Sequence, residues 1–143
     1  MMRRREIGIA ALTACAWPFR ALAQRPPVRI GILAAGVASS AYGVGQIDAV
    51  KQGLREKGLV ENRDYVLDAR FAAGDYERFP QLARELAQAG ARVILATTIA
   101  SVQAAQALTP PVPVVMTGIN SPVEAGLIAS LAGQGAIRRA WPP

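Results

Sequence analysis

At 143 residues, 52% hydrophobic and 18% charged, the chain has the length of one domain and the apolar content to build a core. Its net charge of +6 is terminal: Arg3, Arg4, Arg5 and Arg20 lie near the start, Arg138 and Arg139 near the end, and residues 24–132 carry ten basic against nine acidic side chains. That distribution leaves no concentrated phosphate-binding stripe and argues against nucleic acid as a partner.

The first segment, "MMRRREIGIAALTACAWPFRALAQ", has a basic start, an apolar run from Ile7 to Trp17 and small residues at Ala21 and Ala23. This is the three-part layout of a secretory signal peptide, so residues 1–23 are expected to be removed and the product released to the periplasm. The apolar run falls short of the roughly 20 residues a membrane-spanning helix needs. The paired arginines leave the twin-arginine route open beside the general one. "LTAC" resembles a lipobox, so lipid anchoring at Cys15 is the alternative to a soluble product. Cys15 is the only cysteine, and the cleaved product would have no disulfide, thiol nucleophile or cysteine metal site.

"VRIGILAAG" (Val28–Gly36) is a β-branched apolar run that predicts a buried strand. After a loop around Ala38–Ser40, Ile47, Val50 and Leu54 recur on one helical face, and Gly58 is placed to end that helix. "DYVLDARFA" alternates, with Tyr65, Leu67, Ala69 and Phe71 on one side and Val66, Asp68 and Arg70 on the other, which suits an edge strand. "GDY" turns the chain, Pro80 fits a first helical turn, and Leu82 and Leu86 carry a second helix to Gly90. "ARVILAT" predicts a central strand, Ala100–Leu108 a short helix, and "PVPVVMTG" a fourth strand with prolines at its start. "SPVEAGLIASLA" predicts a fourth helix opened by a capping box, with Ser121 as N-cap, Pro122 first in the helix and Glu124 as the reciprocal partner.

The order β-α-β-α-β-α-β-α predicts an α/β fold, a doubly wound parallel sheet with helices on both faces. Ligands of such sheets sit beyond the carboxyl ends of the strands, which directs attention to Ala38–Ser40, Ala72–Asp75, Thr97–Ser101 and Gly118–Ser121. There is no histidine, and no carboxylate pair stands out at the strand ends, so no catalytic residue is assigned and no metal or cofactor is expected. Asp75 and Glu77 read as turn and helix-start residues. Gly43 and Gly45 match GxGxxG only in part, since Asp48 stands where the third glycine belongs. The loops instead offer neutral hydroxyls and amides: Ser39, Ser40, Thr97, Thr98, Ser101, Asn120 and Ser121. Each could simply cap its helix; together at one edge they suit hydrogen bonding to a small solute. Tyr42, Phe71 and Tyr76 add apolar or stacking surface, Phe71 more naturally as core.

Three stretches carry a family resemblance: the leader through "AWP" and the final "AQ", "GLREKGLVENRDYVLDARFAAGDYERFPQLARELA", and "VPVVMTGINSPVEAGLIASLA". Over about residues 1–132 the chain resembles the periplasmic substrate-binding proteins of ABC transporters, in a branch that includes aromatic-amino-acid binders. The resemblance implies the Rossmann-like first lobe of a type 1 periplasmic binding fold, incomplete here, followed in the family by a second lobe, with the solute held between them. It implies a non-catalytic role in solute capture, a small solute such as an amino acid, and an inner-membrane permease as partner. It places ligand contacts at Ser39, Ser40, Thr97, Thr98, Asn120 and Ser121; at Ser121 members often carry Asp, which puts a cationic ligand group in question. The alternatives are a nucleotide-using α/β enzyme fragment, which would need the missing phosphate loop, and a signalling or regulatory domain of similar fold. After "SLA" the family continues "RPGGN". Residues 133–143 instead read "GQGAIRRAWPP", whose degenerate codons, read one base earlier, permit that continuation. A frameshifted tail after a lobe spanning residues 24–132 is therefore expected.

Overall fold

The computed structural model describes residues 25–121 together with 124, 126 and 127. The elements in chain order are β1 (Val28–Ala34), α1 (Ala41–Glu56), β2 (Tyr65–Phe71), a 3-10 turn (Tyr76–Arg78), α2 (Phe79–Gln88), β3 (Val93–Ala96), α3 (Ile99–Gln106) and β4 (Val114–Met116). All pairings are parallel and the strand order is β2-β1-β3-β4. The alternating strand β2 lies at an edge, and the continuous apolar strands β1 and β3 lie inside, as their patterns require.

Register decides which side chains share a face. Ile32 stands opposite Ala69 and Leu95, and Leu95 opposite Val115, so these four line one side. Gly31 stands opposite Asp68 and Ile94, and Ile94 opposite Val114, on the other. The step from β1 to β2 runs one way along the sheet and the next two steps run the other way. Right-handed crossovers therefore put α1 on the Ile32 side and both α2 and α3 on the Gly31 side.

The main core lies under α2. Phe79, Leu82, Ala83 and Leu86 recur at helical spacing, are all buried, and meet Leu33, Ile94 and Ala105. Each large side chain contributes about 1.5–3 kcal/mol by leaving water. The helix sits so close to β1 that a Cβ on Gly31 would lie 3.1 Å from Leu86 Cδ1. Pro80 occupies the first turn of α2, where its missing N–H costs nothing.

Two helices stop by the same device. Gly58 has φ of 79° and its N–H donates to Arg55 O, while Leu59 N–H donates to Leu54 O. Gly90 has φ of 88°, with Gly90 N–H on Ala87 O and Ala91 N–H on Leu86 O. Both are Schellman closures built on a left-handed glycine. The polar side of β2 is not merely solvated: Asp68 pairs with Arg70 and with Arg29 at 3.6 Å, and Arg70 Nε reaches Glu85 of α2 at 3.4 Å.

One expectation is not met. Ser121 has φ of 50°, not the extended backbone of an N-cap, and Glu124 and Gly126 lie in turns. The capping box of Ser121 and Glu124 is therefore not formed, and the described residues of that segment are not helical. Leu127 is nonetheless buried against Ala96 and Val102, and its carbonyl accepts a hydrogen bond from Gln106 Nε2 at 2.9 Å. The leader of residues 1–23, the rest of the expected fourth helix and the tail of residues 133–143 lie outside the described residues.

Candidate functional site

Parallel strands put their carboxyl ends on one edge, so the loops after β1, β3 and β4, which neighbour one another in the sheet, come together there. Most of the sequence-selected residues stand at that edge. Ser39, Asn120 and Ser121 are exposed, and Thr97 is half-buried directly after β3.

The hydroxyls divide into occupied and free. Ser40 is the N-cap of α1: its Oγ accepts from Gly43 N–H at 3.0 Å and donates to Val37 O at 2.7 Å. Thr98 is the N-cap of α3 in a full capping box with Ser101: Thr98 Oγ1 accepts from Ser101 N–H at 3.1 Å, and Ser101 Oγ accepts from Thr98 N–H at 3.0 Å. Ser101 is itself fully buried. Ser40, Thr98 and Ser101 therefore spend their hydroxyls on helix starts. Asp75 does the turn work expected of it, accepting from Glu77 N–H at 3.1 Å.

Beside α1, a groove of about 340 Å3 runs over the ends of the strands. Its floor is Ile32 and Leu95, its α1 wall includes Tyr42, Gln46 and Val50, and its far rim is Thr97, Thr117 and Gly118. Of the six candidate site residues, Thr97 alone lines it. Gln46, half-buried, was not singled out by sequence, because a glutamine on a helix flank ordinarily faces water. Gln46 Nε2 donates to Tyr42 Oη at 3.0 Å, while Gln46 Oε1 is buried and has no partner.

Large apolar side chains gather at the same edge: Val37, Tyr42, Val44, Tyr76 and Ile99 are all exposed. Tyr76 packs on Phe79 with ring centroids 5.4 Å apart, which holds one ring at the edge from below. Phe71 is half-buried and packs near the start of α1, where a Cβ on Gly43 would lie 3.2 Å from Phe71 Cε1 and 2.4 Å from Val37 O. The Gly43 position is thus explained by close packing of the α1 start and not by a bound phosphate. A second groove, of about 730 Å3, lies between α2 and α3 toward the amino ends of β3 and β4, away from the candidate residues. Among the described residues no group of three or more histidine, cysteine or carboxylate side chains is gathered as a metal would need.

The fold defines a doubly wound α/β lobe with its candidate site at the carboxyl edge of the sheet. The family model of the ABC transporter substrate binding protein matches residues 40–137, and the chain belongs to that family. A curated relative, a tyrosine-binding protein of Clostridioides difficile, is 31% identical over 93 residues, which are 62% of this chain and 27% of the relative. Among solved structures, the ligand-free, open form of a substrate-binding protein with adhesive properties from Clostridium difficile superposes with a TM-score of 0.63 at 24% identity. An ABC domain in complex with L-Trp from Streptococcus pneumonia does so with a TM-score of 0.62 at 22% identity. Each of these two matches covers 73% of this chain and 35% of the other, and at such identity it speaks for the fold. The chain thus spans about a quarter of the length of its curated relative and a third of these structures.

Proposed function

We propose that this chain supplies the first lobe of a periplasmic solute receptor, which holds an amino-acid-like solute at the carboxyl edge of its sheet and delivers it to an inner-membrane ABC permease. The observation that carries this reading is the convergence of the β1, β3 and β4 ends, with a groove lined by Thr97, in a chain of the substrate-binding family. The lobe is residues 24–132, behind an export leader of residues 1–23; residues 133–143 stand apart as an aberrant tail. Ser39, Thr97 and Asn120 are the side chains left to meet the solute, while Ser40 and Thr98 shape the loops by capping. Ser121 stands beside Asn120 with its hydroxyl exposed. Nothing in this role requires bond-breaking chemistry: a second lobe closes over the solute by a hinge motion.

The tyrosine-binding relative and the L-Trp complex favour an aromatic amino acid, and the exposed rings of Tyr42 and Tyr76 give such a solute a surface to stack on. Calorimetry of the 143-residue chain with L-tyrosine and L-tryptophan tests the reading. Half a cleft should bind them more weakly than micromolar, a free energy less favourable than about −8 kcal/mol. Micromolar or tighter binding would show that one lobe is a complete receptor and overturn the two-lobed part of the account.

A further inference from the structure

We propose that the edge strand β4 docks a second copy of this chain, paired antiparallel across a two-fold axis at Val115.

The two edges of the sheet are guarded differently. On β2, Asp68 and Arg70 stand on the strand itself and are tied to Arg29 and Glu85. Charges of that kind keep an edge from templating another strand. The β4 edge has none: from Val93 to Ser121 the chain carries no charged side chain. Among the described residues, no strand pairs beyond β4.

The ladder shows which groups that edge offers. Ile94 N–H donates to Pro113 O at 2.9 Å, Thr117 N–H donates to Ala96 O at 3.0 Å, and Leu95 stands opposite Val115. Bonding residues alternate along a parallel strand, so Pro113, Val115 and Thr117 turn their backbone groups toward β3. Val114 and Met116 turn theirs outward. This pattern is symmetric about Val115. When β4 is laid antiparallel on its own copy, Val114 exchanges both backbone hydrogen bonds with Met116 of the partner subunit, and the two-fold axis repeats the exchange. Val115 then faces Val115 of the partner subunit as a close pair without hydrogen bonds between them. Each of these side chains is exposed in the single chain, on the thinly covered α1 side of the sheet. The symmetric register and the lack of charge both fit a copy of the chain as occupant, and such a self-complementary contact closes at two subunits. The strand is short, so the dimer is weak, with a dissociation constant on the order of 100 μM.

Sedimentation of the 143-residue chain from about 10 μM to about 1 mM tests this, with two variants beside it. Val115→Lys and Val115→Glu each set like charges opposite one another at the axis and should each weaken the dimer roughly tenfold or more. An equimolar mixture of the two should recover it, because residue 115 meets itself. Hydrogen exchange on the unaltered chain gives a reading free of any effect of the variants on folding. The Val114 and Met116 amides should gain protection as concentration rises, and the Val115 amide, bonded to β3, should not change. A chain that stays monomeric throughout, association that grows past the dimer, variants that associate like the unaltered chain, a mixture that stays monomeric, or concentration-independent exchange at Val114 and Met116 would each overturn the inference.

Discussion

Gly43 shows what a single residue decides at the start of α1. A Cβ there would stand 2.4 Å from the carbonyl oxygen of Val37, a backbone atom that cannot swing aside. Gly43→Ala should therefore shift the loop that Ser40 closes and cost about 1–3 kcal/mol, read as a lower urea midpoint. Ala73 is the opposite case. Its φ of 53° places an L side chain in the left-handed region, held there by its N–H on Gly36 O at 2.9 Å. Ala73→Gly removes strain of about 1–2 kcal/mol but loosens the unfolded chain, so a net gain of up to about 1 kcal/mol is expected in the same urea measurement. Asp64 has its carboxyl held below the usual aspartate range, first by the Arg63 guanidinium and then by the Val60 N–H at 2.7 Å. The folded value lies below the unfolded one. The contribution is thus fully present above the ordinary aspartate pKa and is lost as pH falls through the depressed value. Asp64→Asn should flatten the stability curve below about pH 4 and leave its neutral side nearly parallel to that of the unaltered chain. The glycine and the turn residues were visible in sequence, but the reason for Gly43 was not, because it depends on a carbonyl six residues away folding back over the helix start.

At the scale of elements, pattern was a good guide wherever one face is buried. The alternation of Tyr65–Phe71 marked an edge strand, the unbroken apolar runs marked β1 and β3, and the Leu82 and Leu86 spacing marked α2. β4 keeps only Val114–Met116, because Pro110, Pro111 and Pro113 cannot donate to a ladder. The helix starts were harder to read. A hydroxyl just after a strand can cap the next helix or meet a solute, and both roles occupy the same place in the chain. Three-dimensional hydrogen bonding separates them: Ser40 and Thr98 are caps, Ser39 and Thr97 are not. The expected capping box at Ser121 failed because Ser121 adopts positive φ, which its sequence context did not reveal. Thr98→Ala should cost about 1–2 kcal/mol by stripping the start of α3, and chemical denaturation should detect it.

At the scale of the molecule, burial is lopsided. On the α2 and α3 side, Leu33, Ile94 and Ala96 are fully covered. On the α1 side, cover thins across the sheet: Ile32 is 2% exposed, Leu95 half-buried, and Val115 42% exposed. Parallel sheets are stable when both faces are covered, so this flank invites association of the isolated chain. Val115→Thr should reduce light scattering at high protein concentration while changing stability by no more than about 0.5 kcal/mol. The same lopsidedness leaves the groove beside α1 open toward the strand ends, where the solute is proposed to sit. That central claim is tested most directly by mapping backbone amide shifts of the 143-residue chain on addition of L-tryptophan. The account expects the shifted residues to cluster at Ser39–Tyr42, Gln46, Thr97 and Gly118–Asn120. Shifts confined to the α2 and α3 groove around Arg84 and Leu108, or none at all, would contradict it.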